Sequence, residues 1–275
     1  TPGWQHEVAG EHGQPTWAAF DTALVLAALE EISRYRKVTI QGEHFRDCRD
    51  EASVRNRLRD AVGEANPIPG ATYWLGGDLG YTSDPTELVI FEEDRGRDTL
   101  TLKLRVHAEH VPYPVISELI ALLDRLYKPL GLGVDRGGNG MSVVQELTSL
   151  DKYRERYLLG RLVGYDFGSS IVVGTDEHLR PVKKRAKEHM TALINEALAH
   201  GRLVLPKQDH EVEDQLCTQT YVLTDRGVVY SKGNDHIVDA IRCALVRRAQ
   251  VVDPRTGPVE IIVSFTPVLT DPIFD

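Results

Sequence analysis

The sequence has few cysteines, no excess of basic residues and no long apolar run, and each shortage argues against a class of protein. Its three cysteines, Cys48, Cys217 and Cys243, are scattered through 275 residues. Their number and spacing exclude a disulfide framework or a zinc site of paired thiols, so we expect reduced thiols in a cytosolic protein. No apolar stretch approaches the roughly 20 residues that a membrane-spanning helix needs. No Gly-x-x-x-x-Gly-Lys-Ser/Thr loop occurs, which excludes ATP hydrolysis by a P-loop.

The composition is that of an ordinary globular protein, with 41% hydrophobic and 27% charged residues. A chain of this length can form one large or two modest domains. Its net charge of −9, from 41 acidic and 32 basic residues, argues mildly against binding to nucleic acid. That objection is weakened if bound cations offset part of the negative charge. It is weakened further by a local basic cluster: Arg180, Lys183, Lys184, Arg185 and Lys187.

The first 68 residues differ from the rest of the chain. The segments Trp17–Tyr35 and Ala52–Ala65 carry apolar residues at helical spacing. The proline-rich segment 66–70 then interrupts the chain and indicates a boundary. We therefore predict three parts: a helical N-terminal extension of unknown role (1–68), a main domain (69–250) and a C-terminal tail (251–275).

The main domain alternates between short β-rich segments and amphipathic helices. The pattern predicts a meander of three strands, then alternating helices and strands, and therefore a mixed α/β sheet flanked by helices. The predicted strands are Tyr73–Asp78, Glu87–Glu92, Thr99–His107, Leu132–Asp135 and Tyr157–Val163, with a hairpin of Thr220–Val222 and Val228–Tyr230. The predicted helices are Pro112–Tyr127, Gly140–Leu147, Pro181–His200 and His236–Ala249.

Three aspartates, far apart in the chain, are placed where this fold can bring them together. Asp78 and Asp135 each end an apolar strand, and Asp239 lies in the first turn of the last predicted helix. Sites in α/β sheets form at the carboxyl ends of the strands. Converging carboxylates need a cation, and Mg²⁺ and Mn²⁺ prefer oxygen ligands. Two such ions about 3.5–4 Å apart can support in-line hydrolysis of a phosphodiester.

The surroundings of these aspartates resemble a known family, the nuclease domain of the large terminase subunit of tailed phages. Gly76–Thr86, with the sequence Gly-Gly-Asp-Leu-Gly-Tyr-Thr-Ser-Asp-Pro-Thr, resembles the first acidic motif of that family. Gly133–Gly140 resembles the second motif, and Asp235–Ala240 resembles the third. The resemblance covers roughly residues 70–250, and further similar segments follow in the expected order: 164–168, 202–206 and 214–216.

The resemblance implies an RNase H-like fold and a metal-dependent endonuclease. Such an enzyme cuts double-stranded DNA with little sequence specificity during viral genome packaging, and it uses two Mg²⁺ or Mn²⁺ ions. Asp78, Asp135 and Asp239 match the catalytic metal ligands, with Asp78 shared by both ions. Asp84 matches a further acidic position that binds a metal or its water. His236 shares a helix face with Asp239, so it either contacts the second metal or the scissile phosphate, or bonds to a neighbouring loop.

Contacts with DNA and partner proteins are also expectations. Lys183, Lys184 and Lys187 on the predicted helix, and Arg226 at the hairpin turn, can pair with phosphates, which would make binding fall with salt. For Arg226, the alternative is a turn residue in water. The resemblance implies the terminase ATPase motor, the small terminase subunit and the portal as partners, no membrane, and a location in the host cytoplasm.

Three other interpretations remain open. An actin-like or sugar-kinase-like ATPase would use Gly77–Thr82 as a phosphate loop, but its second loop and Gly-Gly adenosine motif are not found. A Holliday-junction resolvase or a transposase-type enzyme shares the metal geometry, but lacks the Asp84-Pro85 turn and the 180–206 segment. A non-catalytic DNA-binding remnant of the fold is disfavoured because all three carboxylates are present.

Overall fold

The computed structural model describes residues 16–252, apart from 66, 81–83, 139, 150, 155–157, 159, 226 and 232. The strands are β1 (Thr16–Ala18), β2 (Leu29–Glu30), β3 (Arg36–Gln41), β4 (Thr72–Asp78), β5 (Thr86–Asp94), β6 (Thr99–Glu109), β7 (Gly131–Asp135), β8 (Leu162–Tyr165), β9 (Ser170–Thr175), β10 (Pro181–Arg185), β11 (Leu203–Pro206), β12 (Thr220–Thr224) and β13 (Gly227–Tyr230). The helices are α1 (Thr22–Ala27), α2 (Glu51–Val62), α3 (Tyr113–Tyr127), α4 (Gly140–Ser149), α5 (Asp151–Arg154), α6 (Ala186–Ala199), α7 (His210–Thr218) and α8 (His236–Val252), with a 3-10 turn at Gly42–Phe45. None of these described helices combines the length and the apolar character needed to cross a membrane.

The central sheet is mixed, as the sequence predicted. Its order is β2-β11-β6-β5-β4-β7-β8, and β3 pairs with β6 as well. β4, β5 and β6 form an antiparallel meander, whereas β7 lies parallel to β4 and β8 lies parallel to β7. β4 therefore lies at the centre, with an antiparallel neighbour on one side and a parallel neighbour on the other.

Both faces of this sheet are covered, because successive residues of the central strands feed two separate cores. On β4, Leu75 belongs to a core with Ile116 and Leu119 of α3. Its neighbour Trp74 belongs to the opposite core with Ile241 of α8. The side chains of a strand alternate between its faces, so a strand buried on both sides is apolar throughout. The sheet is consequently a middle layer between helices.

The N-terminal segment contains strands as well as helices, so the prediction of a helix over Trp17–Tyr35 is wrong. The helix is limited to α1, which begins where the Asp21 side chain accepts the N–H of Ala23 at 2.8 Å. β2 pairs with β11, and β3 pairs with β6, both in parallel. Pairing with an existing sheet edge here outweighs local helix propensity. The predicted helix at 52–65 is confirmed as α2. The division of the chain at residue 68 stays a prediction.

Two further boundaries differ from the sequence prediction. The strand expected at 157–163 lies at Leu162–Tyr165, and part of the expected range is outside the described residues. The helix expected at 181–200 begins only at Ala186, because residues 181–185 form β10. β10 pairs with β9 in an antiparallel ribbon that the sequence did not predict. Lys183 and Lys184 therefore lie on a strand, and their placement on a helix was wrong.

Candidate functional site

Asp78 and Asp135 lie side by side at the carboxyl ends of parallel strands. The register of β4 and β7 pairs Gly77 with Val134, so the next residue of each strand is one of the two aspartates. Both apolar strands end at this edge, and their last side chains meet the solvent there. Asp78 nevertheless keeps only 13% of its side chain exposed. The two aspartates are thus placed together as the sequence predicted.

Helix α8 crosses this pair of strands at a separation that only glycine permits. A Cβ atom at Gly76 of β4 would lie 2.0 Å from the carbonyl oxygen of Ala240, and one at Gly133 of β7 would lie 2.3 Å from that of Cys243. The missing side chains let the helix backbone pack against both strands. The first turn of α8 carries Asp239. Close approach of the helix therefore brings the third carboxylate to the strand ends.

The three carboxylates interact electrostatically. Burial raises the pKa of Asp78 to about 7, and the charges of Asp239 and Asp135 add to this effect against the opposing hydrogen bond from His236. Burial also raises the pKa of Asp135, and the charges of Asp239 and Asp166 contribute, although the Gly137 N–H at 2.8 Å opposes the shift. Burial and nearby negative charge both favour the protonated form of a carboxyl group. The negative charge of ionised Asp78 and Asp135 is therefore not fully balanced by neighbouring positive charge.

At Asp239, by contrast, two cationic side chains are already in place. Lys187 Nζ lies 3.0 Å from Oδ2 of Asp239 and 3.0 Å from Oδ2 of Asp235. Arg242, one turn further along α8 and fully buried, donates to the other oxygen of Asp239. Asp235 also accepts from the amide of Gln219 at 2.8 Å. The carboxylate of Asp239 is thereby held in one orientation.

His236 connects Asp78 to the loop that carries Asp84. Its Nδ1 lies 2.8 Å from Oδ2 of Asp78, and its Nε2 lies 3.9 Å from Oδ1 of Asp84. The hydrogen bond to Asp78 is the main cause that raises the pKa of His236. The imidazole thus contacts a carboxylate of the site and lies near the loop, in agreement with its predicted position beside Asp239.

The donor set of the three aspartates suits a hard divalent cation. Asp78, Asp135 and Asp239 offer carboxylate oxygens, the ligand type that Mg²⁺ and Mn²⁺ prefer. Among the described residues, no three His, Cys, Asp or Glu side chains already form a ligand group for a metal ion. Lys187 and Arg242 provide the positive charge at Asp239 instead. A divalent ion bound at Asp239 would therefore lie next to two cationic side chains.

A cleft of about 820 Å³ opens beside the carboxylates. Asp84, His236 and Lys187 line it next to the site, and Arg185 lines it on the β10 side. Lys183 and Lys184 lie on exposed β10, and Arg226 lies outside the described residues. The DNA-binding role that the sequence suggested for Lys183, Lys184, Lys187 and Arg226 stays a prediction. Lys187 differs from the others, since its ammonium is held by two carboxylates.

Sequence reasoning did not assign several residues of this site. Asp235 and Arg242 flank Asp239 at helical spacings of four and three residues, a signal that was available in the sequence. Asp166, which raises the pKa of Asp135, lies in a segment whose similarity had been noted without a role. Gln219 comes from a distant part of the chain, and nothing in the sequence indicated its contact with Asp235.

Comparison with solved structures finds a similar fold in phage large terminase nucleases. The large terminase nuclease from the thermophilic phage G20c with bound magnesium aligns with a TM-score of 0.53 and 16% identity, over 84% of this chain and 97% of that chain. The same nuclease with bound cobalt aligns with a TM-score of 0.54 and 15% identity, over the same shares. No family model and no curated protein matches the sequence. The chain therefore has the RNase H-like fold of the large terminase nucleases, as its motifs predicted.

Proposed function

We propose that this protein is a metal-dependent endonuclease that cuts double-stranded DNA with little sequence specificity during viral genome packaging. The observation that carries the proposal is the meeting of Asp78, Asp135 and Asp239 from β4, β7 and α8, with the pKa of the first two raised. The similar nuclease of phage G20c binds magnesium and cobalt in its solved structures, which supports a divalent ion for this chain too.

Each residue of the site has a role in this proposal. Asp78, Asp135 and Asp239 would hold the two Mg²⁺ or Mn²⁺ ions. When bound, such a pair of ions activates water and stabilises the leaving oxygen of a phosphodiester. His236 keeps the carboxylate of Asp78 in position through its Nδ1 contact at 2.8 Å. Asp84, with 62% of its side chain exposed in the cleft, supplies a further oxygen ligand for an ion or its water.

The role in packaging rests on the likeness to terminase nucleases. In that role the chain acts in the host cytoplasm together with the terminase ATPase motor, the small terminase subunit and the portal. Because phosphate contacts carry no base information, a cleft lined by Arg185 and Lys187 is suited to sequence-independent binding.

Plasmid cleavage tests the proposal. Purified protein is incubated with supercoiled plasmid in Mn²⁺ or Mg²⁺, and we expect nicked and linear products that disappear when EDTA is added. A linear duplex and a four-way junction of the same length are compared in parallel, since a resolvase would prefer the junction. Cutting that is equally fast with and without the chelator would refute the metal mechanism. Cutting confined to junctions would refute the packaging role.

A further inference from the structure

The ribbon formed by β9 and β10 carries basic side chains on both of its faces. All five residues of β10 are exposed. Lys183 and Lys184 are adjacent on this strand, and neither forms an ion pair with a described residue. Two lysines with the same charge and similar exposure thus differ chiefly in the direction of their side chains.

Strand pairing determines which face each lysine occupies. In the antiparallel register, Lys184 lies opposite Ile171, whereas Arg185 lies opposite Ser170. Residues directly opposite each other point to the same face. Ile171 is buried in the core formed with Met190 of α6, so Lys184 shares the face that is turned towards the body of the protein.

A second observation supports the direction of Lys184. Burial is the main cause that lowers the pKa of His189 on α6, and the charge of Lys184 adds to it. His189 is not among the residues that line the cleft. The side chain of Lys184 therefore lies near His189 on α6.

Arg185 and Lys183 lie on the other face. Arg185 lines the cleft, and Lys183 lies two residues before it on β10, beyond the lining residues. Ser170 and Arg185 both line the cleft, and the guanidinium of Arg185 reaches the turn at Gly227 on the opposite wall. Lys183 shares the face of Arg185 because it lies two residues away on the same strand. Along the chain, Lys183, Arg185 and Lys187 form a row of basic residues that ends at the carboxylates.

The dimensions of this row suit a phosphodiester backbone. Cα atoms two residues apart on a strand are separated by about 7 Å. The phosphates of one DNA strand repeat at a rise of about 3.4 Å along the helix axis, so the two side chains can reach different phosphates. The cleft also contains acidic groups. Glu188 lies 3.6 Å from Arg185, while Asp84 and Asp235 lie at the end nearest to the carboxylates. Positive charge therefore predominates on the β10 side.

We propose that one face of the β9–β10 ribbon, marked by Lys183 and Arg185, guides one strand of duplex DNA along the cleft to the carboxylates, and that Lys184 takes no part. This proposal rests on the proposed nuclease function for its substrate, but the binding it describes does not require cleavage. It differs from the expectation from sequence, which gave Lys183 and Lys184 the same role.

The matched pair Lys183→Ala and Lys184→Ala tests this proposal in the full chain. Binding to a fluorescent 30-base-pair duplex is measured by anisotropy in EDTA over a range of salt concentrations, so that no cleavage occurs. Loss of one phosphate contact weakens binding by about 5- to 10-fold at 0.1 M salt. It also makes the negative slope of log K against log salt shallower by about 0.9. We expect this change for Lys183→Ala and a change of less than 2-fold for Lys184→Ala.

Equal losses in the two variants would show that only net charge matters, and would overturn the proposal. Unchanged binding in both variants, or no binding by the wild type, would also overturn it. A wild type that binds DNA with the expected asymmetry but never cuts with Mn²⁺ or Mg²⁺ would refute the nuclease function and leave the guiding face supported. A wild type that cuts, with both variants binding normally, would refute the guiding face alone.

Discussion

The ammonium of Lys187 lies 3.0 Å from the carboxylate of Asp239 and equally close to that of Asp235. Its side chain is 22% exposed, and the rings of Phe167 and Tyr230 lie 5.3 and 5.9 Å from Nζ. A cationic side chain is thus held among the carboxylates that we propose as metal ligands. Lys187 neutralises part of the charge of the site, and we expect it to compete with a divalent ion for Asp239.

Replacing Lys187 with methionine separates these two effects. Lys187→Met keeps an unbranched side chain of nearly the same length but removes the charge, so Asp235 and Asp239 lose a charged hydrogen-bond partner. We expect the metal-free protein to lose about 1–3 kcal/mol of stability. Millimolar Mn²⁺ should then raise its melting temperature more than it raises that of the wild type, because the competing ammonium is gone. Thermal denaturation with and without Mn²⁺ measures both effects.

Lys207→Met is the control for this experiment, since Lys207 is an exposed lysine far from the carboxylates along the chain. It should leave both the stability and the response to Mn²⁺ unchanged. If Lys187→Met and the wild type respond to Mn²⁺ to the same extent, the ammonium does not compete with the metal.

Loss of a single carboxylate should abolish cutting without unfolding the protein. Asp135→Asn keeps the shape of the side chain and its hydrogen bond to Gly137, but removes a metal-binding charge. We expect plasmid cutting to fall by at least about 100-fold, since metal ligation contributes several kcal/mol to the transition state. Asp60→Asn, at an exposed carboxylate of α2, is the matched control. Full activity of Asp135→Asn at limiting Mn²⁺ would remove Asp135 from the ligand set.

The raised pKa of Asp78 predicts a pH dependence of metal binding. In the folded protein this carboxyl titrates at about 7, well above the ordinary value of an aspartate. Between those two pH values the folded state holds a proton that the unfolded chain has released. Stability contributed by Asp78 therefore decreases as the pH rises through that interval. A divalent ion binds the ionised carboxylate, so the increase in melting temperature caused by Mn²⁺ should be larger at pH 8 than at pH 6.

Asp78→Asn tests the assignment of this pH dependence. The amide cannot ionise, so the variant should show a smaller response to Mn²⁺ that changes little between pH 6 and pH 8. A wild-type response that is flat over the same interval would mean that the carboxyl of Asp78 is already ionised at pH 6.

The approach of α8 to the sheet depends on Gly76. In Gly76→Ala the new methyl group would lie 2.0 Å from the carbonyl oxygen of Ala240 and 2.8 Å from the Ala244 Cβ. Such overpacking costs about 1–3 kcal/mol, and it should move Asp239 away from Asp78. We expect a lower melting temperature and a weaker response to Mn²⁺. Gly233→Ala, where no atom lies within 4 Å of the added Cβ, should leave the stability unchanged.

The candidate site was largely predictable because each of its three aspartates follows a strong local pattern. Asp78 and Asp135 end apolar strands, and Asp239 begins an amphipathic helix, so the known geometry of α/β sheets brings them together. The cations on Asp239 were harder to predict. Lys187 belongs to a basic cluster that favours a solvated surface, and only the start of α6 at Ala186 turns its side chain towards the carboxylates.

The elements that were predicted wrongly are short and depend on partners far away in the chain. The segment 17–35 has helical periodicity, yet β2 and β1 within it pair with β11 and β12, about 170 to 200 residues later. The local periodicity of a segment does not indicate whether it pairs with a distant strand, because that pairing depends on the tertiary fold. In the same way, the sequence of β10 is polar and lacks alternation, so the ribbon was not predicted.

A pH-dependent contribution to stability is expected at His107 on β6, which the sheet register places opposite Glu87 of β5. Its Nδ1 lies 2.5 Å from Oε1 of Glu87, and its Nε2 lies 2.9 Å from Oε1 of Glu109. Glu87 is buried and also pairs with the buried Arg105. The hydrogen bond to Glu87 is the main cause that raises the pKa of His107.

Because this pKa is raised, protonated His107 stabilises the fold at low pH. The contribution is fully present below the ordinary histidine value of about 6.5 and is lost as the pH rises through the folded value. We expect His107→Gln to lose about 1–2 kcal/mol more stability at pH 6 than at pH 9, as a charged hydrogen bond provides. Urea denaturation at both pH values measures this difference, and His210→Gln, at a side chain that is 82% exposed, should show none. Equal losses for His107→Gln at pH 6 and pH 9 would mean that the histidine acts only through packing and neutral hydrogen bonds.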